Sequence, residues 1–152
     1  MGWLERTSRA MDYLTGRWWF YVLLLALGFF LSPPYASRGY SWPEIPDVIG
    51  EGLSHAIIYE LVRLAWPAAL LHVLALAVIA AVLLWGERAA KAFDLWAFAT
   101  YLAIAVGQST GISERYGLVV LTGNMVLALL VAFSWAWECA VGRNRFRREY
   151  LA

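Results

Sequence analysis

Four long stretches without a charged residue constrain this chain more than any other feature: Trp18 to Leu31, Leu64 to Trp85, Leu95 to Ser113 and Tyr116 to Trp137. A helix needs about 20 consecutive apolar residues to cross a hydrocarbon core about 30 Å thick, and three of the four runs reach that length. The 152 residues are 62% hydrophobic and only 15% charged, far from the balance of a soluble domain. The expected fold class is therefore an all-α integral membrane four-helix bundle, a single transmembrane domain filling residues 1–152. Its expected spans are about 17–32, 64–86, 94–112 and 116–138.

The first span is the short one. A basic segment followed by an apolar core also has the layout of a leader, with Tyr35-Ala36-Ser37 as a cleavage-like site. Trp18, Trp19, Phe20 and Tyr21 instead read as an interface anchor at one boundary, and Ser32-Pro33-Pro34 as the stop at the other, so a retained short span is expected.

Cations set the expected orientation. Arg6, Arg9, Arg17, Arg88, Lys91, Arg143, Arg145, Arg147 and Arg148 fall on one side of the four spans, and only Arg38, Arg63 and Arg115 on the other. Positive residues accumulate on the cytoplasmic side, which predicts a multi-pass protein of the cell membrane with both termini cytoplasmic. Glu44, Asp47, Glu51 and Glu60 make the outer loop acidic.

Two interfacial helices are expected. Trp3, Leu4, Thr7, Ala10, Met11, Leu14 and Trp18 recur at helical spacing opposite Glu5, Arg6, Ser8, Arg9 and Asp12, predicting an N-terminal amphipathic helix on the inner surface. In the outer loop, 33–63, Ile49, Leu53, Ile57 and Leu61 repeat every four residues, predicting an outer interfacial helix before the second span. Glu60 and Arg63 are spaced to form an interfacial ion pair. The basic tail, 139–152, is expected to lie against anionic head groups, each cation gaining about 1 kcal/mol, with no nucleic-acid role.

Small residues mark where helices should meet, because they let backbones approach closely in lipid. Ala65, Ala68, Ala69, His72 and Ala75 form one such stripe, Ala99, Ala103 and Gly107 a second, and Gly117, Val120, Asn124, Ala128, Val131 and Ser134 a third. These faces place His72 and Asn124 at similar depth, roughly 12 Å below the outer boundary at 1.5 Å per residue. A buried polar cluster of His72, Asn124, Thr122 and Gln108 is the expectation, with a His72 to Asn124 hydrogen bond as its plainest form.

Few chemistries remain open. A single cysteine, Cys139, excludes paired-thiol redox exchange and cysteine metal sites, and neither an HExxH nor a GxSxG motif nor a phosphate-cradling glycine loop is present. No Asp, Glu, Lys or Arg occupies the central part of an assigned span, which disfavours charge-coupled transport. Catalytic residues and a metal site are therefore not expected. The leading expectation is a non-catalytic subunit or accessory protein of a larger membrane complex, partnered by other membrane subunits or by copies of itself. One alternative is an electron-transfer anchor in which His72 binds haem b or hydrogen-bonds a quinone beside Tyr101. The other is a small oligomeric channel or transporter for a neutral solute.

Overall fold

A computed structural model describes residues 3–146, the side chains of Trp3, Leu4 and Ala65 excepted. Those three side chains, and the expected basic tail at Arg147 and Arg148, lie outside the described residues. The chain is mostly helical, and two helical stretches, Trp66–Gln108 and Thr122–Val141, are long and apolar enough to cross a membrane. A third arises if the bent pair α1 (Trp3–Thr15) and α2 (Trp18–Phe30) is taken as one.

The corner between α1 and α2 measures 81°, so the amphipathic helix runs across the axis of the apolar one. Tyr21 closes the corner by donating its hydroxyl to the Thr15 carbonyl at 2.8 Å. The Arg17 guanidinium lies 4.7 Å over the Tyr13 ring, a cation–π contact. At the far end Ser32 caps α2 through its hydroxyl to the Phe29 carbonyl at 2.7 Å, and Pro33 stops its continuation. The 13 residues of α2 are only about 20 Å long, shorter than the hydrocarbon core.

The longest apolar stretch is folded back on itself. Helix α5 (Ala65–Trp85) ends at Gly86, whose φ of +54° suits glycine alone, and a tight turn over Gly86–Ala89 leads into α6 (Ala90–Ala103). The last turn of α6 widens into a π-turn at Ile104–Gln108. There a Cβ on Gly107 would lie 3.3 Å from Ile58 Cβ, in α4 (Ile57–Val62) just before α5. The end of α6 has thus returned to the beginning of α5.

Beyond α6 the chain makes strands rather than helix. Strands β1 (Tyr35–Ala36), β2 (Thr110–Ser113) and β3 (Gly117–Val120) form an antiparallel sheet in the order β1-β3-β2. The helix expected over 94–112 therefore ends at Gln108, and the one expected over 116–138 begins at Thr122, in α7 (Thr122–Val141). A three-residue loop, Glu114-Arg115-Tyr116, followed by Gly117 at φ +71° is a favoured hairpin geometry, and it overrides the apolar run on either side. The Ser113 hydroxyl fixes the loop by accepting the amides of Arg115 and Tyr116 at 3.1 and 3.2 Å.

The helix expected within 33–63 is present but does not run unbroken into the second apolar stretch. Residues 45–54 form α3 (Ile45–Ser54), which packs on the sheet, with Val48 fully buried against Val119, Tyr116, Ala36 and Leu121. Gly52 makes the close approach possible, since a Cβ there would stand 2.6 Å from Val119 Cγ1. The helical repeat through Ile57 and Leu61 is interrupted because Ala56 leaves the helix to bridge Gly111. Sheet, α3 and the turn Trp42–Glu44 together make a folded cap at one end of the helices.

At the opposite, basal end, Arg143 reaches α1 in a paired hydrogen bond to Asp12, 2.7 and 3.0 Å. Between the two ends α6 and α7 form the main helix pair. Its buried positions are Ala90, Asp94 and Ala97 on α6, Ala105 in the π-turn that follows, and Gly123, Ala128 and Ala132 on α7. Small side chains do carry the contact, and Ala128 of the expected stripe is among them, whereas Ala99, Ala103, Asn124, Val131 and Ser134 are exposed. Beside this contact Phe93 packs edge-on against Trp135 at 5.5 Å.

Candidate functional site

The expected polar cluster divides into separate local bonds. His72 is exposed, and its Nδ1 lies 2.7 Å from the Ala68 carbonyl of its own helix. Asn124 donates its Nδ2 to the Ser109 hydroxyl at 2.7 Å. Thr122 directs its hydroxyl at the carbonyls of Leu31 and Pro33, at 2.9 and 2.8 Å, and so ties the start of α7 to the end of α2. Gln108 is half-buried in the π-turn and makes no hydrogen bond to the other three. No hydrogen bond joins His72 to Asn124.

The reason lies in α5. Its less exposed side runs through Pro67, Ala68, Ala75, Val78 and Val82, while Leu70, Leu71, Val73, Leu74, Leu76, Ile79, Leu83 and Leu84 stay exposed. At 100° per residue His72 stands about 90° from the centre of that side, away from the bundle. A carbonyl only accepts, so Nδ1 carries a proton, and in the neutral tautomer this leaves the Nε2 lone pair available. The imidazole can therefore accept a hydrogen bond or ligate a metal from outside the chain. The Glu60–Arg63 pair forms as expected at 3.1 Å, with both side chains at least 70% exposed.

An acidic side chain absent from the expected cluster is the most buried of the ionisable groups among the described residues. Asp94 is 1% exposed; Oδ1 accepts Nδ2 of Asn144 at 2.7 Å, and Oδ2 has no partner among the described residues. Beside it Phe93 contacts the Phe146 ring at 5.2 Å, and a Cβ on Gly86 would meet the Phe146 carbonyl at 3.0 Å. Residues 143–146 thus strap the basal end, touching α1, α6 and the α5–α6 turn. Asp94 stands at the edge of its apolar run, where a sequence reading treats an acidic residue as a boundary marker.

The cap holds the other polar network. Arg115 bonds Glu44 at 2.6 Å and lies 3.7 Å from Asp47, while Ser113 donates its hydroxyl to Glu51 at 2.6 Å. Arg38 donates to the Glu114 carbonyl, which ties β1 to the hairpin. The Ser41 hydroxyl and amide hold the Glu44 carboxyl below its usual range; partial burial opposes them and Arg115 assists. Burial pushes the Tyr116 phenol up. Every one of these groups is engaged in holding the fold. No group of three or more His, Cys, Asp or Glu able to hold a metal occurs among the described residues.

No protein-family model, curated protein or solved structure matches the chain.

Proposed function

We propose that this chain is a four-pass integral membrane protein, with both termini cytoplasmic, that serves as a non-catalytic subunit or accessory protein of a larger membrane assembly. Helices α2, α5, α6 and α7 are the spans in this reading, with α1 on the inner surface and the cap outside. The excess of Arg and Lys at the basal end supports that orientation. The observation that carries the reading is α5: a 21-residue helix, apolar except for His72, whose described side chains are little covered by the rest of the chain, with that imidazole on the uncovered side. A polar side chain facing lipid is costly, whereas a neighbouring transmembrane helix can satisfy it. Purification from native membranes in mild detergent should yield companion chains or a homo-oligomer, dispersed by His72→Leu. Recovery as a monomer with an activity of its own would refute the proposal.

A second reading has one observation in its favour. Fixing Nδ1 on a backbone carbonyl orients an imidazole to present Nε2, the arrangement suited to haem ligation or to a quinone carbonyl shared with a neighbouring subunit. A haem absorbance in the reduced-minus-oxidised spectrum that His72→Ala abolishes would support the haem form. Its absence from protein purified with its partners would exclude that form.

A further inference from the structure

Helices α2 and α7 do not close on each other along their length. Two cavities lie between them, about 550 Å³ toward the cap and about 490 Å³ toward the base, and both are lined by Leu24 and Leu127. They form one groove. Ile49 of α3 lines its cap end, and Thr7, Met11 and Thr15 of α1 line its basal end. The groove is bounded at both ends and opens sideways, between the helices.

From Gly123 to Trp137 the α7 wall rises about 21 Å. A transmembrane helix spans about 30 Å and would run into α3 at one end of the groove and α1 at the other, whereas an alkyl chain can lie within it. Water is a poor occupant, because the walls are largely leucine, phenylalanine and glycine, and a stable water needs two to four polar partners. The Thr15 and Ser134 hydroxyls are already bonded to carbonyls of their own helices, at 2.9 and 2.8 Å. An unfilled groove would forfeit the dispersion contacts of its whole lining.

We propose that the α2–α7 groove is a binding site for an alkyl chain of a bilayer phospholipid, entering laterally and running from Asn124 past Leu24 and Leu127 toward Trp137. The glycine at position 28 leaves the cap-end lobe open: a Cβ there would meet only Leu127 Cδ1, at an ordinary 3.9 Å. Exposed leucines of α5 meet lipid on a convex surface, whereas the groove surrounds a chain and holds it longer.

The full chain in phosphatidylcholine vesicles, doped with phosphatidylcholine carrying an acyl-chain diazirine, is irradiated and its labelled residues are mapped by mass spectrometry. Leu24, Leu127 and Trp137 should take at least threefold more label than Leu76 and Leu83 of α5. Gly28→Phe should remove the label near Asn124, and Ser134→Phe that near Trp137, with α5 labelled as before. Equal labelling of groove and α5 in the unsubstituted protein overturns the proposal whatever the variants do. So does cross-linking of Leu24 to a second polypeptide. Since the site rests on α2 and α7 lying in the membrane, α5 is also the control: no label on any helix refutes membrane insertion itself, whereas label confined to α5 refutes only the groove.

Discussion

Three glycines of the cap respond differently to one added methyl group, and the order of their responses tests how α3 meets the sheet. At Gly111 a Cβ would stand 2.5 Å from the Gly52 carbonyl oxygen and 2.9 Å from that of His55. Carbon–oxygen contacts settle near 3.3–3.6 Å, so backbone must move by about 1 Å. Gly111→Ala should therefore cost about 3 kcal/mol, the upper part of the overpacking range, less about 0.5–1 kcal/mol from the stiffer unfolded chain. At Gly52 the obstacle is Val119 Cγ1 at 2.6 Å, on a fully buried, β-branched side chain with little freedom to turn. Gly52→Ala gains about 1 kcal/mol of helix propensity and loses about 2 kcal/mol to the clash, a net loss of about 1 kcal/mol. At Gly50 nothing lies within 4 Å, and Gly50→Ala should gain up to about 1 kcal/mol. Hydrogen exchange of the β2 and β3 amides, followed by mass spectrometry in micelles, reads cap opening directly. Each 1.4 kcal/mol is tenfold, so exchange should rise between tenfold and 100-fold in Gly111→Ala, rise less in Gly52→Ala and slow in Gly50→Ala. Unchanged exchange in Gly111→Ala, or equal effects at Gly50 and Gly52, would refute the packing of α3 on β2 and β3.

Asn144→Ala removes the hydrogen bond to the buried Asp94 carboxyl and leaves a second oxygen unpartnered among the described residues, so it should destabilise by about 1–3 kcal/mol; an unchanged unfolding midpoint would contradict this. Arg143→Ala breaks the paired contact with Asp12, which holds the Arg143 guanidinium above its usual pKa. It should raise amide exchange in α1 severalfold without affecting β3, and equal effects on both would show that the strap is not local. The cap should have a bounded pH range. The depressed Glu44 carboxyl contributes stability above the usual carboxylate value of about 4.3, lost as pH falls through its lower folded value. The raised Tyr116 phenol contributes below about pH 10, lost as pH rises through its higher folded value. Protection of β3, its exchange corrected for the intrinsic pH dependence of amide exchange, should be greatest between those limits, and Glu44→Gln should flatten the acid side; an acid limb unchanged by that substitution would contradict the assignment.

The parts of this molecule legible in its sequence are those written in local pattern. Uncharged length locates α5 and α7, the bias of cations matches the separation of basal end from cap, and the amphipathic spacing of α1 survives as a helix turned across α2. What local pattern does not reveal depends on distant partners. Ile112 and Leu118 to Leu121 extend the apolar runs on either side and read as helix, although Gly117 after a three-residue polar loop and the β-branched pair Val119-Val120 carry a hairpin signal. The cap depends on Glu51 meeting Ser113, 62 positions away, and Glu44 meeting Arg115, 71 positions away, which no periodicity encodes. His72 is misplaced by its alanine stripe, because such a stripe says that close packing is possible without saying on which side it occurs. Asp94 gives no sign of burial in its own segment, because the residue that covers it, Asn144, comes 50 positions later.

Whether the two poles of this molecule lie on opposite sides of a membrane is testable in one experiment. With Cys139 replaced by serine, Glu114→Cys places a single thiol on the exposed cap hairpin, and Glu87→Cys places one on the exposed α5–α6 turn. A membrane-impermeant maleimide applied to intact cells should label the Glu114→Cys variant at once and the Glu87→Cys variant only after permeabilisation. Equal labelling of both from outside would contradict the crossing of the membrane by α5 and α6, and with it the proposed architecture.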